Sequence, residues 1–207
     1  GIPMGLQYSI TAIGTMMVQS SLNILGSYAV AAFTAGNKIE CIFTQAFVAI
    51  GTTISTYNAQ NIGAGKLDRV RQGFRATDVI GCAYAVIAGF ILFFAGKYFS
   101  YLFISDNADV VIPMVDTYLR CVGMFLVPLY VVNCYRNGFQ GMGYGLLPML
   151  SGVAELVGRG VMAVIAANKK SYTMACMASP FAWVVATVLL IVLYFYVMKD
   201  MKKKLCL

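Results

Sequence analysis

The run VIGCAYAVIAGFILFFAG, Val79 to Gly96, holds eighteen residues without one charged side chain. As a helix rising about 1.5 Å per residue it spans about 27 Å, close to the ~30 Å hydrocarbon core of a bilayer. Comparable runs recur along the chain. They predict six spans, at Pro3–Leu25, Ala29–Ala59, Val70–Ala95, Val110–Asn133, Leu146–Ala167 and Tyr172–Met198. The breaks between them, LGSY, NIGAGKLD, KYFSYLFISDNAD, YRNGFQGMGYG and NKKS, carry the Gly, Asn, Ser and charged residues that interrupt helices. With 60% hydrophobic and 11% charged residues, against about 25% charged in globular domains, the chain lacks the polar residues to cover a water-facing surface. The expectation is an all-α membrane protein, a six-transmembrane-helix bundle with the lipid bilayer around it.

Charge sets the orientation. The net charge of +7 lies in short loops and at the C-terminus rather than on one sustained face, which argues for membrane topology and against a nucleic-acid partner. With ends and loops alternating sides, one side receives Lys66, Arg69, Arg71, Arg75, Arg136, Lys199, Lys202, Lys203 and Lys204. The other receives Lys97, Lys169 and Lys170 together with Asp106 and Asp109, while Lys38, Arg120 and Arg159 fall inside helices. Cations stay cytoplasmic. The GAGKLDRVRQGFR loop, Gly1 and the basic tail 199–207 are therefore expected inside, with Gly63 and Gly65 ending the second helix. The chain opens on Gly1 without an initiator Met or a signal peptide, so the expectation is a fragment in a multi-pass protein.

No catalytic set emerges. There is no histidine, and six cysteines (Cys41, Cys82, Cys121, Cys134, Cys176, Cys206) lack CxxC spacing; the first five are expected to pack as small hydrophobes. No metal-binding, nucleophile–base or phosphate-loop pattern occurs, and GFQGMGYG reads as a tight loop between two spans. Asp78 and Asp116 have no motif around them to suggest an intramembrane hydrolase. No enzyme, metal or cofactor is expected.

Helix packing is legible in small residues. Gly81, Ala85 and Gly89 recur every four positions, and Ala32 with Gly36 and Gly1 with Gly5 repeat the spacing, which lets backbones approach in lipid. Pro128 and Pro180 lie inside expected helices as kinks, Pro128 freeing the carbonyl of Met124.

The informative residues are the polar ones in the spans, because intramembrane ionisable groups face bundle interiors or wet cavities. Glu155 and Arg159 stand four apart in the order that favours a helix ion pair, as do Asp116 and Arg120. The first pair is open to a structural or a pathway role; the second reads as structural. Asn133, Tyr130, Gln45, Gln7, Glu40 and Asn37 complete the pathway candidates, with Gln19 and Asn23 on the first span. Lys38, two positions from Glu40, cannot pair with it on a helix and is expected to snorkel toward an interface. A nearby cation favours ionised Glu155, hence a fixed charge pair rather than a proton carrier.

The stretch GSYAVAAFTAGNKIECIFTQAFVAIGTTISTYNAQNIGAGKLDRVRQGF resembles the second-half signature of the multidrug and toxic compound extrusion (MATE) family. YRNGFQGMGYGLLPMLSGVAELVGR resembles the family's tenth and eleventh helices, and GIPMGLQ the start of its seventh. The resemblance covers essentially the whole chain, residues 1–207. It implies a single C-terminal lobe of a twelve-helix transporter, with the N-terminal six-helix lobe missing, in a bacterial cytoplasmic membrane. It further implies export of drugs or small organic cations by alternating access, coupled to Na⁺ or H⁺. Some branches carry coupling carboxylates in the seventh and tenth helices; the matching stretches here have none, and in related branches the coupling rests on an aspartate of the first helix, outside this sequence. A lipid-linked oligosaccharide flippase of the same superfamily, or a non-transporting membrane subunit, is the alternative.

Overall fold

Glycine at residue 65 lets the second long helix reverse direction. Its φ of +70° lies in the left-handed region, open to Gly without Cβ strain, and the amide of Lys66 then closes onto the carbonyl of Asn61 at 2.8 Å. The computed structural model describes residues 2–101, 104 and 108–204. Gly1, Asp106, Cys206 and the end of the basic tail lie outside the described residues.

Eight helices follow in order: α1 Ile2–Leu25, α2 Ser27–Gly63, α3 Leu67–Ser100, α4 Ala108–Gly123, α5 Leu126–Gly141, α6 Leu146–Lys169, α7 Tyr172–Cys176 and α8 Ala178–Lys204. Four segments are long and apolar enough to cross a membrane: α2, α3, α6 and the α7–α8 unit. Together α4 and α5 make a fifth, bent by 54° at their break. The expected first span is present as the 24-residue helix α1, but Gln7, Thr11, Thr15, Gln19 and Asn23 keep it below the hydropathy of the others. The fold is thus an all-α, multi-span membrane bundle with four to five candidate spans.

The expected fourth span, Val110–Asn133, is not one rod. It ends at Gly123, and α5 restarts at Leu126. Pro128 has no amide hydrogen, so it sits in the first turn of α5, where none is required. Pro180 likewise falls in the first turn of α8 rather than kinking a continuous helix, and the expected sixth span is divided into α7 and α8. The GFQGMGYG segment is also corrected: α5 stays helical through Gly141, and only residues 142–145 turn. The three small-residue positions on α3 form a seam with α4 and α5. A Cβ on Gly81 would meet the Tyr130 ring, and one on Gly89 would lie 2.5 Å from the Gly123 carbonyl oxygen.

In the bundle, α1 packs on α6 and α6 on α8, while α2 packs on α3, α4 and α5. Contacts of α5 with α8 join the two groups, helped by the Thr187 hydroxyl donating to the Pro128 carbonyl at 3.0 Å. Tyr144, in the turn after α5, donates to Asp200, which Lys204 also holds at 2.7 Å. Large apolar side chains on α3, among them Val79, Ile80, Ile87, Phe90 and Phe94, point away from the bundle, as a lipid-facing surface requires. Of the cysteines, Cys121, Cys134 and Cys176 are buried and Cys82 half-buried, but Cys41 is exposed, because its position on α2 points out of the bundle.

Candidate functional site

Two buried glutamates organise the polar interior, and their surroundings differ. Glu155, on α6, is only 3% exposed. Its nearest cation is not Arg159 one turn away but Arg136 on α5, whose Nη2 reaches Oε1 at 2.6 Å. Arg159 approaches the other oxygen at 3.5 Å. Sequence spacing had placed Arg136 in a loop among the cytoplasmic cations. The longer α5 carries it into the bundle instead, where its Nε also donates to Ser151 Oγ at 3.1 Å. Ser151 in turn donates to the Pro148 carbonyl at 2.7 Å. Beside this network the Gln140 amide donates to Gln7 Oε1 at 3.1 Å, linking α5 to α1. Arg136 is therefore a residue of the interior that the sequence reading missed; the signal was its place in the apolar stretch YVVNCYR, where only a longer helix would bury it.

Glu40, on α2, is 7% exposed and, among the described residues, meets a single hydrogen-bond donor, the hydroxyl of Tyr118 on α4. Among the described residues it makes no salt bridge. The same hydroxyl accepts a long hydrogen bond from Asn37 Nδ2 at 3.4 Å. Gly36 makes this possible, since a Cβ there would overlap the Tyr118 ring. Tyr118, which the sequence reading passed over, lies between Asp116 and Arg120 in VDTYLR and points to the opposite side of α4 from that pair.

Glu40 and Tyr118 line a cavity of about 260 Å³, together with Asn37, Asn133, Arg159 and Trp183. Arg159 thus borders both clusters. With Arg136 occupying Glu155, its own contacts are long: 3.4 Å from Nη1 to the Thr11 carbonyl and 3.5 Å to Glu155. Its buried Nε has no hydrogen-bond partner among the described residues. Gly14 leaves the room for this side chain, its Cβ position lying 3.2 Å from Arg159 Cδ.

Of the other candidates, Asn133 lines the cavity and donates to the Leu129 carbonyl at 3.0 Å. Tyr130 does not reach it. That residue is fully buried in the apolar core, edge-on to Phe47, with its hydroxyl donating to the Thr77 carbonyl at 2.6 Å. Gln45 points outward from α2. Asp116 and Arg120 pair at 2.9 Å, and the Arg120 guanidinium stacks over Phe93 at 5.5 Å. Lys38 is exposed. Asp78 accepts from Tyr135 at 2.9 Å.

A further surface completes the site. Along α2, Thr34, Asn37, Gln45, Thr52, Thr56 and Gln60 are exposed on one side of the helix. Their hydroxyls return to backbone carbonyls of their own helix, as Thr56 does to Thr52 at 3.1 Å. The amides of Gln45 and Gln60 have no such partner among the described residues. Asn37 belongs to both this stripe and the cavity, so the cavity opens onto the stripe.

The MatE family pattern matches residues 3–165 of the chain. The chain is 30% identical over 150 residues to the "Probable multidrug resistance protein YpnP" of Bacillus subtilis strain 168, covering 72% of this chain and 33% of that protein. Its fold matches the outward-facing conformation of a multidrug resistance MATE family transporter of the MOP superfamily, with a TM-score of 0.90 and 19% identity. That match covers 98% of this chain and 46% of the other. The inward-facing conformation of such a transporter gives a TM-score of 0.86 at 16% identity, covering 98% and 47%. The chain therefore spans less than half the length of these relatives. With the family pattern running from residue 3 to residue 165, the chain belongs to the MATE family of membrane transporters.

Proposed function

We propose that the chain is the six-span C-terminal lobe of a two-lobe exporter. It would carry drugs or organic cations outward by alternating access, in exchange for Na⁺ or H⁺. The observation that carries this reading is the polar stripe of α2. From Thr34 to Gln60 it runs about 39 Å at about 1.5 Å per residue, longer than the hydrocarbon core. Facing lipid, the unpartnered amide of Gln45, near the middle of the stripe, would cost several kcal/mol; facing a water-filled cleft shared with another lobe, it costs little. The apolar surface of α3 then faces lipid, and the α2 stripe and the cavity of Glu40 and Arg159 form the cleft wall. One lobe fits both outward- and inward-facing relatives, which supports a motion of whole lobes rather than rearrangement within this one. The basic turn after α2 and the basic end of α8 lie on the cytoplasmic side in this reading.

Single cysteines at Gln45 and Thr56 of the full-length protein test it, labelled with a maleimide that cannot cross membranes. Both are expected to react, with rates that change on adding substrate. Protection of both positions from the polar reagent but not from a lipid-soluble one would place α2 against lipid and defeat the cleft. Gradient-driven drug efflux from proteoliposomes tests transport itself, and Na⁺ against H⁺ gradients separate the coupling ions.

A further inference from the structure

The cavity lined from α1, α2, α4, α5, α6 and α8 presents two opposite charges that do not meet. Glu40 accepts one hydrogen bond, from Tyr118, and makes no salt bridge among the described residues. Arg159, 8% exposed, lines the cavity with only long contacts, 3.4 Å to the Thr11 carbonyl and 3.5 Å to Glu155, because Arg136 has taken the nearer oxygen of Glu155. Both side chains border the same space of about 260 Å³. A carboxylate held in low dielectric gains from an ammonium donor, and a guanidinium from a second anion. An ion of either sign alone would satisfy one and leave the other. Phe33, Leu129 and Trp183 complete the wall with apolar surface, suited to a ring or short hydrocarbon body.

We propose that this cavity binds small zwitterions, molecules offering an ammonium group to Glu40 and a carboxylate or similar anion to Arg159, with an apolar body against Trp183. The proposal rests on the reading of the α2 face as a cleft wall, which gives the cavity its access. It narrows the cargo of that cleft from organic cations in general to amphoteric ones.

Three probes of one skeleton test it: phenylalanine with both charges, phenethylamine with the cation only and hydrocinnamate with the anion only. Binding to the full-length protein in lipid nanodiscs is read from Trp183 emission, isolated as the difference from Trp183→Phe. Phenylalanine is expected to bind about tenfold or more tightly than either analogue, since each lost charge removes one charge-assisted contact. Glu40→Gln is expected to weaken phenylalanine to the level of hydrocinnamate, and Arg159→Gln to that of phenethylamine. Equal binding of phenylalanine and phenethylamine, no binding of any probe, or a folded Glu40→Gln that keeps the full preference would overturn the proposal. The unmodified protein decides the matter even if a variant does not fold. Loss of gradient-driven flux with the probe order intact would count against the transport reading alone.

Discussion

Replacing Arg136 by Gln removes the 2.6 Å contact to Glu155 and the 3.1 Å contact to Ser151 together. Arg136 is 14% exposed and Glu155 3%, so water cannot substitute for the lost donor. Breaking a buried ion pair costs about 3–5 kcal/mol when the remaining charge has no other partner. Here Arg159 stays at 3.5 Å, and the expected loss falls to that of a charge-assisted hydrogen bond, about 1.5–3 kcal/mol. Arg159→Gln leaves the short contact in place and is expected to cost about 1 kcal/mol. Glu155→Gln strands two guanidiniums and is expected to cost most, about 3–5 kcal/mol. Adding Arg136→Gln to Glu155→Gln removes one stranded cation, so the double variant should be milder than the sum of the singles. Denaturation of the full-length protein by SDS in mixed micelles, followed by helical circular dichroism, gives the order directly. If Arg159→Gln proved as damaging as Arg136→Gln, the interhelical pair would not be the principal one, and the reasoning from distance would fail.

Other substitutions read the packing and the second glutamate. Gly81→Ala drives a methyl into the buried Tyr130 ring and should cost about 1–3 kcal/mol, part of it recovered in the Gly81→Ala/Tyr130→Leu double variant. Gly152→Ala, whose nearest neighbour would lie at an ordinary 3.5 Å, is the control, with melting temperature unchanged or slightly raised. Tyr118→Phe keeps the ring beside Gly36 but takes away the hydroxyl that donates to Glu40. A loss of about 1–3 kcal/mol is expected from the stranded acceptor, measured by the same SDS titration. A Tyr118→Phe protein as stable as the parent would mean that Glu40 draws no support from this bond.

What could be read from the sequence followed the rules that act within one helix. The long apolar runs, the glycine-terminated end of α2 and the small-residue seam of α3 are all local patterns, and each is present in the fold. The break after Gly123 was not legible from length, because a straight helix and a bent pair have the same apolar run. Pro128 marked the place, but a proline both kinks helices and begins them. Arg136 was misplaced for a related reason. Glycines at 138 and 141 look like a loop, yet they are helical; they are glycines because Phe74 and the backbone of Ser55 press on α5 there and leave no room for a Cβ.

Across helices, sequence spacing carries little information, and the two buried glutamates show the consequence. The i, i+4 rule correctly brought Arg159 within reach of Glu155, but it could not see a competitor nineteen residues away on α5. Once Arg136 takes the short contact, Arg159 is left with only long ones and turns a charge toward the cavity. Glu40 has the converse history. Its near neighbour Lys38 projects to another side of α2, and the donor that reaches it comes from α4, 78 positions on. Among the described residues, Glu155 has two guanidiniums within 3.5 Å and Glu40 has none, an asymmetry that arises from helix packing rather than from composition. In the proposed transport reading, the network at Glu155 ties α5 to α6, and the charges across the cavity are left for a ligand.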